Sequence, residues 1–181
     1  MVDGSLRGAD DPRWADSGAA TAEEYEFWAG KTCGIACFKM VLARRAQPVP
    51  PTMRLVERAL EHGAYVPRGD RVDGLIYAPF ARLAKEEFGV VLDVARELTP
   101  GEIVTAATPD TPVIASVHRW IRWPDREPAE RGGHLVLVTG ADAGTLRLHN
   151  PSGFPGASQC DVMVKVSDFS KFFAGRGMLV R

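Results

Sequence analysis

The stretch "KTCGIACFKMVLARR", starting at Lys31, carries the residues best suited to chemistry. Apolar Ile35, Phe38, Val41 and Leu42 recur at helical spacing after Thr32, a residue suited to an N-cap. Cys33 therefore falls at the start of a helix. A thiolate there feels the positive end of the helix dipole, which lowers a thiol pKa and raises its nucleophilic fraction. Gly34 lacks a side chain, so a carbonyl group has room to approach the backbone closely. The Cys33 amide has no partner within the helix and is placed to donate to an oxyanion. The plain alternative is a small buried hydrophobe, the usual fate of a free cysteine.

A thiol nucleophile needs a base, and the base needs an orienting group. Of four histidines, His62 ends a charged helix and reads as solvated, and His118 lies inside an apolar strand. His149 alternates with Leu148 and faces away from it. His134 opens "HLVLVTG" directly after Gly132 and Gly133, which clear space at a strand mouth for an imidazole and for a substrate with small side chains. Asn150 closes "LRLHN". A hairpin between the two segments brings the end of the second strand beside the start of the first. Asn150 can then fix the tautomer of His134. Pro151 holds Asn150 extended. An ordinary Asn-Pro turn is the competing reading.

Elements must place these groups. "TMRLVERALEHGA" and "GLIYAPFARLAKEEFG" are amphipathic helices stopped by Gly63 and Gly89, and prolines in "RRAQPVPP" end the Cys33 helix. "VVLDVARELTP" reads as strand then loop, and Thr99 and Pro100 begin a short helix. "TPVIASVHRWIRW", "GHLVLVTGAD" and "TLRLHNP" read as strands, and "DVMVKVSDFSKFFAGRGMLVR" as strand, short helix and last strand. Helices first and a mainly antiparallel sheet second predict an α+β fold. "WIRWPDREPAERGG" reads as a polar segment that overhangs a cleft.

The chain has 181 residues, 45% hydrophobic and 25% charged, with a formal net charge of −1. That suits one domain over 21–181 behind a mobile lead-in over 1–20, onto which Trp14 docks. No basic excess points to nucleic acid. No apolar run suits a membrane span or a secretion signal, which predicts a cytoplasmic protein. Cys33, Cys37 and Cys160 make a poor disulfide framework and are expected to be free thiols. Cys33 and Cys37 share a helix face, but without a second pair they lack the spacing of a zinc site. No phosphate loop occurs; "PRGD" at 67–70 is a turn. No metal or cofactor is expected.

Taken together, "TCGIACFKMVL", "GGHLVLVTGAD" and "LRLHNPSG" resemble the papain-like cysteine peptidases that remove double-glycine leaders from bacteriocin precursors, most closely the stand-alone members. The resemblance runs from about residue 24 to the C-terminus. It implies a papain-like fold, a peptide or precursor-protein substrate, and a catalytic set of Cys33, His134 and Asn150. In the leader peptidases the first cysteine of the motif attacks, which implies Cys33; Cys37, one turn inside the helix, is expected to face the core. Two departures stand out. The family carries a Gln about six residues before the nucleophile to complete the oxyanion hole, where this chain has Phe27. Trp28 and Lys31 are the nearby substitutes, and losing one such donor costs roughly 100- to 1000-fold in rate. The orienting residue is Asn150 where leader peptidases usually carry Asp. Two other functions fit the same residues: acyl transfer from the thiol to an amine, and a catalytically silent module that binds a peptide.

Overall fold

The C-terminal half alternates β-branched and small residues between tight turns, and antiparallel pairing follows from that pattern. The structure, a computed structural model, describes residues 7–181. Six strands form one sheet, ordered β3 (Leu92–Ala95), β8 (Phe173–Val180), β4 (Val113–Val117), β5 (His134–Asp142), β6 (Thr145–His149), β7 (Val162–Lys165). Every neighbouring pair is antiparallel. A separate ribbon, β1 (Pro67–Arg68) and β2 (Arg71–Val72), closes around the expected turn. The β5–β6 hairpin turns on Ala143 (φ 45°) and Gly144 (φ 79°), two left-handed residues whose twist matches that of the strands they join.

Helices α1 (Ala22–Ala29), α2 (Cys33–Arg44), α3 (Thr52–Glu61) and α4 (Tyr77–Phe88) precede the main sheet. Ile35, Phe38, Leu55 and Phe80 pack with Ile114, Leu135 and Met178 on one sheet face. The α+β class read from the sequence holds. Two short helices, α5 (Pro100–Ala106) and α6 (Val166–Phe172), cover the opposite face, where Ile103, Phe169 and Phe172 join Val113, Val136 and Val138. β4 is consequently buried along its whole length, which explains why "VIASV" is uniformly apolar or small. The Thr99 cap on α5 is a full capping box with Glu102.

Two expectations need correction. The strand through "HRWIRW" ends at Val117; His118 instead accepts the Trp120 N–H and caps a 3-10 turn, Arg119–Arg122. Thr32 occupies the N-cap position of α2 without a side-chain capping bond, its backbone lying near φ −96°, ψ 19° rather than extended. Within the lead-in, residues 1–6 lie outside the described residues. Residues 7–20 form two 3-10 turns against α1, where Glu26 accepts the Ala9 N–H and Tyr25 donates to Asp11 at 2.9 Å. Trp14 in the second turn is half-buried.

Gly177 shows how tightly the central strands meet: a Cβ there would lie 2.5 Å from the Ile114 carbonyl oxygen on β4. Backbone, unlike a side-chain tip, cannot swing aside. Gly177→Ala is expected to destabilise the fold by about 1–3 kcal/mol, read as a lower midpoint in urea unfolding with an unchanged slope.

Candidate active site

The first turn of α2 is set against β5. Tyr65, buried in the core, donates its hydroxyl to the Lys31 carbonyl at 2.9 Å and holds the turn before Cys33. β6 pairs with β5 only from Leu137 onward, so the backbone of Leu135 is free on that edge. The two cysteines use it. The Cys37 thiol lies 3.6 Å from the Leu135 carbonyl, buried as expected, and the backbone of Leu135 also bonds the Cys33 sulfur, in the sense that favours the thiolate. Cys33 is half-buried and Cys160 exposed; all three cysteines are free thiols.

His134 and Asn150 meet as the hairpin requires. Nε2 of His134 lies 2.8 Å from Oδ1 of Asn150, and the two residues are 6% and 1% exposed. The backbone N–H of Ser152 donates to the same Oδ1 at 3.2 Å. A backbone N–H can only donate, so the facing atom of Asn150 is its oxygen. Nε2 must then carry the proton, and Nδ1 is left as the basic lone pair of a neutral ring. Asn150 thus serves both readings of its sequence, since the Asn-Pro turn also closes through Gly153 N–H to Asn150 O at 3.0 Å.

Ser152 and Arg122 complete this network, and motif reasoning missed both. Ser152 Oγ lies 3.2 Å from His134 Nε2 and accepts from Arg122 Nη2 at 3.2 Å. The signal for Ser152 was present in "NPS", where the residue two after Asn donates to its side chain. Arg122 comes from the segment expected to overhang the cleft, and gave no local signal.

The electrostatics correct one expectation. Burial is the largest influence on Cys33 and pushes its thiol pKa up, against the lowering pull of backbone N–H groups of Leu135, Gly34 and Cys33 itself. Burial likewise drives His134 down to about 4; the bond to Asn150 opposes this, and Arg122 and His118 add to it. The resting pair is a neutral thiol and a neutral imidazole. The helix start does pull the thiol pKa down, but desolvation outweighs it.

Two cavities meet at these residues, of about 630 Å³ and 410 Å³. Lys31, Cys33, Gly133 and His134 line both. A third cavity of about 500 Å³, between α2 and the β5–β6 hairpin, includes neither Cys33 nor His134. Gly133 is the one cleft glycine placed as expected, with open space where a Cβ would stand. Gly132 is buried, and a Cβ there would lie 3.1 Å from Ala174 Cβ and Arg176 Nη2 and 3.3 Å from Ser116 Oγ. Gly34 serves packing rather than substrate access: a Cβ there would lie 2.5 Å from Leu75 Cδ2 and 2.8 Å from Leu135 Cδ1. Of the oxyanion candidates, Trp28 packs its ring against Phe27 and Tyr65 in the core and lines neither cavity. The Lys31 ammonium bonds the Phe27 carbonyl and lies 3.9 Å from the Phe27 ring centre. The Cys33 amide remains at the first helical position.

The other histidines lie elsewhere. His62, read as solvated, is largely buried, with Nε2 3.3 Å from Glu86. His149 accepts the Asp161 N–H at 3.1 Å. Among the described residues no group of three or more His, Cys, Asp or Glu side chains is arranged to hold a metal ion, and no helix is long and apolar enough to cross a membrane.

No protein-family model matches the chain, and no curated protein matches it either.

The His134 environment has a consequence for stability. Its folded pKa, about 4, lies below the ordinary 6.5. Above pH 6.5 both folded and unfolded states hold the ring neutral. As pH falls from there, the unfolded chain takes up the proton first, so stability drops until the folded ring also titrates near pH 4. Urea unfolding from pH 7 to 4 should show a loss of about 3 kcal/mol that His134→Gln does not share.

Proposed function

We propose that the protein is a cysteine hydrolase of papain-like fold that cleaves a peptide amide bond, with Cys33 as nucleophile, His134 as base and Asn150 as orienting group. The observation that carries this reading is the 2.8 Å contact between His134 and Asn150, which leaves Nδ1 as a free base in a cleft that Cys33 also lines. The resemblance of the three motifs to leader peptidases supports the same assignment, with leader or precursor processing as the matching role. A reducing compartment, the cytoplasm, suits a working thiol.

The chemistry follows from the resting charges. As the Cys33 sulfur adds to the substrate carbonyl carbon, its proton passes to His134 Nδ1. The carbonyl oxygen becomes an oxyanion, to which the Cys33 N–H donates. Collapse breaks the C–N bond, and the leaving amine takes the proton from Nδ1. Water then adds to the thioester, giving a proton to Nδ1. The C–S bond breaks, the acid leaves, and the sulfur regains the proton. Because the resting pair is neutral, charge separation belongs to the addition step rather than to the free enzyme.

A silent peptide-binding cleft is the competing reading. Two observations favour it: burial raises the Cys33 thiol pKa, and of the two oxyanion candidates Trp28 lines neither cavity while the Lys31 ammonium is drawn onto the Phe27 carbonyl and ring. An activated ester separates the two. With p-nitrophenyl acetate, a burst of one p-nitrophenolate per chain is expected, with the acetyl group on Cys33 by mass spectrometry. His134→Ala should slow the burst roughly 100- to 10,000-fold, and Cys33→Ala should abolish it. Acetylation confined to exposed Cys160, or a burst indifferent to His134, would leave the silent module standing. Acyl transfer is read in the same assay, as faster deacylation by added amines than by water.

A further inference from the structure

One row of residues crosses the sheet at the level of the cleft. Leu135 on β5 pairs with Ser116 on β4. Ala115 of β4 pairs with Gly177 of β8 before the register shifts, and Ser116 Oγ and Arg176 Nη2 flank the same point, 3.3 and 3.1 Å from where a Gly132 Cβ would stand. On the far side of β8, Ala95 pairs with Gly177, and the Leu98 N–H donates to the Gly175 carbonyl at 2.8 Å. Arg96 and Arg176 are bracketed between those two contacts and lie opposite each other. Both share the sheet face of Leu92, Ile114 and Met178, against which the Cys33 helix packs. Ser116, Arg96 and Arg176 line the larger cavity together with Cys33 and His134.

This row is electrostatically incomplete. Two like charges opposite each other on adjacent strands repel. Neither arginine has an ion-pair partner among the described residues, and no carboxylate among them lines this cavity. Elsewhere the chain pairs its arginines readily: Arg44 with Asp110, Arg58 with Glu87, Arg68 with Asp73, Arg181 with Asp93. Ser116 adds an independent sign. It is 2% exposed, yet its hydroxyl makes no hydrogen bond among the described residues, and it opens on the cavity. A hydroxyl open to the cavity, beside two guanidinium groups without an ion-pair partner, is a set of donors open to an acceptor.

We infer that Arg96, Arg176 and Ser116 form a subsite for a carboxylate of the bound peptide, either an acidic side chain or a free C-terminus. This rests on reading the cleft as a peptide site. Two guanidinium forks and a hydroxyl match the in-plane lone pairs of a carboxylate. Strands lie about 4.8 Å apart, so the Arg176 backbone stands about 10 Å from that of Leu135, where the Cys33 sulfur is held. An extended peptide covers that distance in about three residues, so the carboxylate is recognised about three residues from the bond under attack. The subsite therefore selects sequence beside the cut rather than taking part in bond breaking.

Binding to Cys33→Ala protein tests this without any turnover. The probes are N-acetyl-Ala-Ala-Ala-Glu amide, its Gln counterpart, and N-acetyl-Ala-Ala-Ala-Ala as the free acid, each titrated while the arginine Nε–H signals are followed by NMR. At least one carboxylate probe should bind at least about 10-fold more tightly than the Gln amide. Which of the two does so distinguishes a side chain from a chain end. The advantage should shrink with added salt and vanish in Arg96→Gln/Arg176→Gln, whose thermal midpoint should not fall, because a like-charge contact has been removed. Binding of both carboxylate probes no tighter than that of the Gln amide, no binding of any probe, or a preference that survives the double variant would each overturn the inference. None of these results depends on the ester burst, so a silent Cys33 with an intact carboxylate preference would sink the hydrolase reading and leave the subsite standing.

Discussion

Everything at the site depends on how α2 meets the Leu135 peptide. The β6 strand stops short, and the exposed edge of β5 needs other partners for its polar groups. Cys33 and Cys37, one turn apart, come to this single residue, one to its N–H and the other to its carbonyl. The approach is close because residue 34 has no side chain: Leu75 and Leu135 fill the space a Cβ would take. A bulkier residue would push the helix start off the strand and carry Cys33 away from the start of β5, where His134 stands. Packing density, rather than access for a ligand, is what demands glycine beside this thiol.

The imidazole side is held by a different principle. His134 and Asn150 are buried polar groups, and burial is tolerable only when the lone pairs and protons find partners. Asn150 Oδ1 collects His134, the Ser152 amide and the Ser152 hydroxyl, at 2.8, 3.2 and 3.5 Å. The turn that ends β6 is therefore also what fixes the ring tautomer. Such economy makes the network stiff: moving the turn moves the base. It also leaves His134 poor at holding a charge at rest, since an amide oxygen compensates an imidazolium less than a carboxylate would.

The sequence made some of this legible and hid the rest for physical reasons. Cys33, His134 and Asn150 were readable because each sits at an element boundary with a local marker, respectively a helix start, a Gly-Gly approach and a proline. Element types were readable from periodicity, and the α+β class followed from their order. Gly34 was misread because the side chains that crowd it, Leu75 and Leu135, come from distant segments. Trp28 and Lys31 were proposed from proximity in sequence, but one turns into the core and the other onto Phe27. Arg96, Ser116 and Arg176 were invisible, since only strand pairing across three separate segments sets them in a row. The coverage of both sheet faces was hidden likewise, because seven-residue helices such as α5 and α6 are too short to reveal a buried face.

Charge ties the two halves of the cleft together. Burial keeps the His134 ring neutral and the Arg122 cation adds to that, while Lys31, Arg96 and Arg176 line the larger cavity. Such a field disfavours an imidazolium and favours any anion. On the proposed mechanism it would oppose proton transfer from Cys33 in an empty cleft. A carboxylate bound near Arg96 and Arg176 would act in the opposite sense and offset part of the positive potential, and on the proposed mechanism an oxyanion would do so at closer range. Both effects gain strength as the peptide displaces water and lowers the local dielectric. On the proposed reading, the arginines that select the substrate would give way to a neutralised cleft once it is bound, while burial remains the larger influence on the His134 ring.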